Sequence, residues 1–279
     1  MNNVAVVILN WNGWSDTLEC VKTIASRVDY RIIIVDNSST DDSVKHLKSL
    51  GENVEIIETT RNLGFSGGNN VGIMRALSDG FDFVWLLNND TLLSGGEIDS
   101  FLALMADHPD VGILGGALYE YSGIKQIQVM GGGKLNVHLA LTNHYKFKGL
   151  IPQHIIGACM FIRAQVFKDV GLLDNEYFFF MEDTDFSLRA RNYGWKIMTN
   201  EEVGIIHKGG TSLEGKSNQK DDFYIESNAV FLKKHSTTVL SAIKYILVIL
   251  NRLKRRGIHG LKTVHTKFWH GYSNATRKA

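Results

Sequence analysis

Asn88, Asn89 and Asp90 follow directly on Phe83–Leu87, a run of five apolar residues. Such a run suits a strand covered on both faces. Two amides and a carboxylate at the end of such a strand are hard oxygen donors, the chemistry that seats Mg²⁺ or Mn²⁺. Asn-Asn-Asp-Thr is also good turn chemistry, so the neighbouring motifs must decide between the two. A second acidic cluster, Glu182, Asp183 and Asp185, follows the aromatic run Tyr177–Phe180. On a helix, at about 100° per residue, Asp183 and Asp185 point to nearly opposite sides. One carboxylate can therefore enter a crevice while the other caps the helix or pairs, with Arg189 in reach. An aromatic wall beside a carboxylate suits gripping a sugar and deprotonating its hydroxyl. The plain alternative is an acidic first turn favoured by the helix dipole. His207 ends an apolar run before a glycine pair, where a ligand role and a structural role are both open.

The elements that must position these groups alternate. Val4–Leu9, Arg31–Val35, Val54–Ile57 and Phe83–Leu87 read as strands, with helices over Ser15–Ile24, Asp41–Leu50 and Asn69–Ser78 between them. That alternation predicts a parallel α/β sheet. Strand carboxyl ends in such a sheet face one crevice, so Asn10–Asn12, Asp36–Asn37 and Asn88–Asp90 are expected to converge. The loop Arg61–Gly72 is expected as a further wall, its glycines letting backbone approach a ligand and its helix N-terminus favouring phosphate. It is not G-x-G-x-x-G after the first strand, which disfavours a dinucleotide site. From Gly95 on, the pattern is mixed. Glu97–Ala106, Gln165–Val170 and Glu182–Tyr193 read as helices, Val111–Leu118, Gly157–Arg163 and Val203–Ile206 as strands, and Lys125–Leu141 as glycine-rich strands and loops. Gly210–Ser217 fits G-x-x-x-x-G-K-[ST], but the polar residues after Ser217 argue against the packed helix a phosphate loop needs, so the match reads as chance.

The chain has 279 residues, 44% hydrophobic and 21% charged, enough for a full core. Cys20 and Cys159 make no metal spacing and read as buried thiols of a reducing compartment. No basic segment followed by an apolar run opens the chain, so no signal peptide is expected. The net charge of +1 hides an asymmetry: residues 1–226 hold all 29 acids and 19 Lys and Arg, and residues 227–279 hold 11 Lys and Arg and no acid. Val239–Arg256 places Ile243, Ile246, Leu247, Ile249, Leu250 and Leu253 on one helical face, with Lys244, Asn251, Arg252 and Arg255 on another. The apolar run within it is too short to span a bilayer. It is expected to lie on an anionic membrane surface. A terminal packed helix, a homodimer contact and, less favoured, nucleic acid are the alternatives.

The segments ILNWNG (8–13), VDNSSTDDS (35–43), NLGFSGGNNVG (62–72), WLLNNDT (85–91), GLLDNEYFFFMEDTDFSLRARNYGW (171–195) and HKGGTS (207–212) together resemble family 2 glycosyltransferases of the GT-A fold. NNDT and EDTD resemble the rhamnosyltransferase-like branch that builds bacterial surface polysaccharides such as O-antigen or capsule. The resemblance implies a GT-A domain over 1–235, with a nucleotide-sugar half (1–95) and an acceptor half (96–235), and a basic tail over 236–279. It implies that Asn10, Trp11 and Asp36 hold base and ribose, and that Arg61, Asn62 and Asn69 form the donor loop. Asn89 is a further donor contact. It implies that Asp90 binds a divalent metal, Mg²⁺ or Mn²⁺, with His207 as a further metal or diphosphate contact. Asn88 stands where the family's D-x-D motif has its first Asp, which removes one charge from the metal. Asp183 matches the catalytic base, with Glu182 and Phe180 on the acceptor side. The implied reaction is inverting transfer of a sugar, first choice L-rhamnose from dTDP-rhamnose, to a lipid-linked saccharide at the inner face of the cytoplasmic membrane. A UDP-hexose transferase, a nucleotidyltransferase and a non-catalytic sugar-nucleotide-binding protein are the competing readings, and no nucleic-acid partner is expected.

Overall fold

The computed structural model describes residues 3–24, 30–51, 53–121, 126–209, 217–237, 239, 243–247 and 261–275. In chain order the elements are β1 (Val4–Asn10), α1 (Trp14–Thr23), β2 (Tyr30–Asp36), α2 (Ser43–Leu47), β3 (Val54–Glu58), α3 (Gly64–Ser78), β4 (Phe83–Asn88), β5 (Thr91–Leu92) and α4 (Glu97–Asp107). The second half adds β6 (Val111–Glu120), β7 (Ile127–Met130), β8 (Gly132–Asn136), β9 (Leu141–His144), β10 (His154–Ile155), β11 (Cys159–Arg163), α5 (Ala164–Val170), α6 (Glu182–Tyr193), β12 (Lys196–His207), α7 (Ser217–His235) and α8 (Leu261–Asn274).

The central sheet runs β3-β2-β1-β4-β11-β6-β12-β5, with β7 on β6. Its first four strands are parallel, as the strand–helix alternation requires. Beyond them the sheet is mixed: β11 is antiparallel to β4 and β6, and β12 is parallel to β6. A second, three-stranded sheet, β10-β8-β9, flanks the crevice. The period-2 rule is visible in β1. Val4, Val6 and Ile8 pack with Phe101 and Met105 of α4 on one face. Ala5 and Val7 pack with Ile73 of α3 and Phe186 of α6 on the other. A third core lies under α7 and α8, where Phe231 and Leu232 meet Val264 and Phe268.

Three sequence expectations change here. Helix α3 begins at Gly64, not Asn69. Its glycines serve close packing: a Cβ on Gly68 or Gly72 would come within 2.4 Å of Leu9 or Val7 of β1. Polar residues do open a helix after Ser217, because no residue of α7 from 219 to 224 is fully buried and the first buried one described is Ile225. The preceding residues 210–216 of the phosphate-loop match lie outside the described residues. Lys244 is turned inward and buried while Ile243, Ile246 and Leu247 are exposed, and residues 248–256 of that predicted helix also lie outside the described residues. Both cysteines are free and buried, and burial pushes the Cys20 thiol up to about 12 and the Cys159 thiol to about 11, so neither is a nucleophile.

Candidate active site

The carboxyl ends of β2, β1 and β4 lie side by side, Asn10 opposite Asp36 and Leu9 opposite Asn88. They open into a crevice of about 690 Å³, a volume typical of small-ligand sites. Trp11, Asn62, Asn88, Asn89, Asp90, Phe180, Glu182, Asp183 and His207 all line it. Asn10, Asp36, Arg61 and Asn69 do not, and each has a physical reason. Asn10 is fully buried, donating to Asp36 Oδ1 (2.7 Å) and accepting from Thr17 Oγ1 (2.7 Å). Asp36 accepts from the Ser39 backbone N–H and hydroxyl as well, so its carboxylate ties the 36–39 loop to β1. Asn69 is a buried helical residue donating to Phe65 O. Arg61 is exposed.

The α3 N-terminus is also less open than the sequence implies. The Leu63 N–H donates to Asn37 Oδ1, that of Gly64 to Asn62 Oδ1, and that of Phe65 to Phe178 O. These donors hold the loop rather than a ligand. Asn37, expected among the converging strand ends, is also the hub of that loop. It lines the crevice and also donates to Asn62 Oδ1 and Gly64 O.

Asp90 and His207 are brought together by the two-residue strand β5, in which Thr91 pairs antiparallel with His207. His207 Nε2 lies 3.3 Å from Asp90 Oδ1 and 3.4 Å from Asn88 Nδ2. On its other side, Nδ1 lies 2.6 Å from Gln128 Oε1. An amide oxygen there accepts the Nδ1 proton and leaves the Nε2 lone pair facing the Asp90 carboxylate. This is the arrangement in which histidine presents Nε2 to a metal, its other nitrogen donating to a fixed acceptor. The donor set thus fits a divalent cation. Among the described residues no group of three or more His, Cys, Asp or Glu could hold a metal. A cation here would draw its remaining ligands from the Asn88 amide oxygen, water and a diphosphate.

Helix α6 delivers the other carboxylates. Phe180 and Met181, just before it, both have positive φ, 73° and 68°, a strain that persists where surroundings enforce it. The turn throws Asp183 into the crevice, where its oxygens accept from the Gly157 and Thr184 backbone N–H groups at 2.8 and 2.6 Å. Asp185 points the other way, fully buried, and accepts from Arg189 Nε (2.6 Å), with His235 Nε2 also 2.6 Å away. Glu182 is buried with Oε2 unpartnered. Burial, and next the Asp183 charge, hold its carboxyl well above the usual range. Phe178 and Phe179 contact Phe223 of α7, and Phe180 contacts Tyr224, completing an aromatic wall.

Residues 5–171 match the model of glycosyl transferase family 2. The chain belongs to that family. It is 25% identical over its whole length, and 94% of the relative's, to the low-salt glycan biosynthesis hexosyltransferase Agl10 of Haloferax volcanii. It is also 25% identical, over 66% of this chain and 68% of the relative, to the N-acetylglucosaminyl-diphospho-decaprenol L-rhamnosyltransferase of Mycobacterium tuberculosis. Among solved structures, GalNAc-T7 with UDP, GalNAc and Mn²⁺ superposes with a TM-score of 0.62 at 16% identity. That match covers 82% of this chain, which spans 51% of the GalNAc-T7 structure. The fold is the expected GT-A fold and the protein is a glycosyltransferase, which sets aside the nucleotidyltransferase and binding-only readings.

Proposed function

We propose that this glycosyltransferase moves a sugar, first choice L-rhamnose from dTDP-rhamnose, to a hydroxyl of a lipid-linked saccharide with inversion at the anomeric carbon. The observation that carries the reading is Asp183, aimed by two backbone N–H groups into the crevice that also holds the Asp90–His207 pair. An acceptor hydroxyl is a poor nucleophile, and a carboxylate within reach can take its proton as it attacks. Glu182, whose carboxyl burial holds well above the usual range, is set apart from Asp183, the carboxyl that backbone N–H groups aim into the crevice. At the other end Asp90, His207 and the Asn88 amide would hold Mg²⁺ or Mn²⁺, which when bound supplies positive charge against the departing diphosphate. Trp11, Asn37 and Asn62 form the nucleoside wall, with Asn10 and Asp36 bracing it from behind and Asn89 tethered to Gly13 and Thr17. The mycobacterial relative's name supports both rhamnose and the lipid diphosphate acceptor. A hexose from a UDP donor is the second reading, favoured by the full-length likeness to a hexosyltransferase.

The test is turnover of dTDP-rhamnose, UDP-glucose and UDP-galactose with Mn²⁺ by the full chain and by Asp183→Asn. Transfer falls about 10²–10⁴-fold in the variant, while nucleotide binding by thermal shift stays within twofold. Near-normal turnover by Asp183→Asn rules out the base assignment.

A further inference from the structure

Two histidines that the proposed transfer does not use line the crevice on the acceptor side. His144 ends β9 and His154 starts β10, and both are registered to the same residue of the strand between them, Gly133. Residues opposite one another across neighbouring strands project to the same face, and Gly133 has no side chain to stand between the two imidazoles. Their rings lie 5.6 Å apart. The glycine is required: a Cβ on Gly133 would come within 2.1 Å of Asn143 O, and one on Gly132 within 1.9 Å of His154 O. The short sheet therefore closes only with glycine at its centre, and closing it opens a slot. Both rings line the same cavity as Glu182 and Asp183, and the Asp183 charge acts on both.

His154 is 1% exposed, yet beyond a backbone contact to Gly133 its ring nitrogens find no hydrogen-bond partner. The Oε2 atom of Glu182 is likewise buried and unpartnered. Buried polar atoms are nearly always satisfied, and here two orphaned groups face one cavity, which points to a ligand that completes them. A neutral imidazole offers one donor and one acceptor, as does a protonated carboxyl. A sugar hydroxyl, itself donor and acceptor, matches both; a phosphate offers acceptors alone. Burial holds the His154 imidazole down at about 4, so the slot carries no imidazolium for an anion at neutral pH.

We propose that the slot between His144 and His154, beside Glu182, binds an uncharged, hydroxyl-bearing ring of the acceptor and turns its nucleophilic hydroxyl toward Asp183. The inference rests on the acceptor reading of this crevice, and it makes the two histidines positioning residues. Any phosphate the acceptor bears lies outside the slot.

Saturation-transfer NMR on the full chain, with octyl glycosides and the matching glycosyl 1-phosphates as probes, tests it without turnover. Neutral glycosides are expected to receive saturation and the glycosyl phosphates fivefold less. His144→Ala, at an exposed position, loses the glycoside signal by fivefold or more, and His154→Asn does the same, with nucleotide-induced thermal shift as the folding control. Glycoside signals unchanged in a folded His144→Ala variant, no glycoside signal in the parent chain, or stronger binding of the phosphates each overturn the proposal. Failure of the transferase reading is separate: the parent chain would hydrolyse and transfer no nucleotide sugar, whatever the glycosides do.

Discussion

Within one helical turn, three carboxyls of the same motif meet three fates. Asp183 is hydrogen-bonded into the crevice, Asp185 is ion-paired behind it, and Glu182 is buried, its carboxyl held well above the usual range by burial. Helical geometry makes the first two legible in the sequence, since residues two apart cannot share a face. Glu182 is not legible, because its fate depends on burial set by strands far away. His154 belongs to the same class and gives a pH signature. Its imidazole titrates near 4 in the folded protein, mainly through burial, with Asp183 pulling upward and His144 pushing down; unfolded, it titrates near about 6.5. Between those values the unfolded state binds more protons, so stability falls as pH drops from about 6.5 to 4. The span corresponds to roughly 3 kcal/mol. Glu182 works with the opposite sign, its raised carboxyl weakening the fold as pH rises through its folded value. His154→Asn is expected to flatten the acid-side loss in urea unfolding measured from pH 7 to 4. An unchanged slope would mean that His154 is not the group responsible.

The elements show why some of the architecture could be read and some could not. Strands β1, β2 and β4 are long apolar runs ending in Asn or Asp, and their spacing with helices specifies parallel pairing and hence converging ends. Strand β5 has two residues, below any period, yet it is what sets His207 against Asp90. The β10-β8-β9 sheet is visible in the sequence only as glycine-rich chain, since His144 and His154 meet through Gly133, a residue remote from both in sequence. Helix α3 was legible past Asn69, but its glycines read as loop when they are in fact its contact face with β1. Helix α6 owes its place to Asp185, which ties it within one turn to Arg189 and across to His235 of α7, while Arg189 also donates to Val170 O and Leu172 O. Removing one partner of a buried ion pair leaves the other uncompensated. Asp185→Ala is therefore expected to cost about 3–5 kcal/mol in denaturant unfolding. The contrast with Asp183→Asn, two residues away, separates support from chemistry. Asp185→Ala should lose stability first, and a folded, equally stable Asp185→Ala protein would sink the anchoring role.

At the scale of the whole molecule, charge and apolar surface segregate together. The acid-free stretch 227–279 holds 11 Lys and Arg, and its described parts face two ways. Helix α8 packs inward, Val264 and Phe268 joining the third core. Residues 243–247 do the reverse of a water-facing helix. Ile243, Ile246 and Leu247 are 44%, 54% and 46% exposed, while Lys244 is 5% exposed, with burial lowering its ammonium to about 8. No helix among the described residues is long and apolar enough to cross a membrane; we propose that this face lies against a surface. An anionic bilayer suits it on both counts: the net positive charge of the stretch supplies attraction and the three apolar side chains supply depth. A lipid-linked acceptor would then meet the crevice without leaving the membrane. Large apolar side chains contribute about 1.5–3 kcal/mol each when fully buried, so Ile246→Glu with Leu247→Glu should lower binding to phosphatidylglycerol vesicles tenfold or more in a sedimentation assay. Raising salt should weaken the parent chain's binding without abolishing it, since the apolar part is unscreened. If the parent chain ignores the vesicles and the double variant instead converts a dimer to a monomer, the face is a subunit contact and the membrane reading fails.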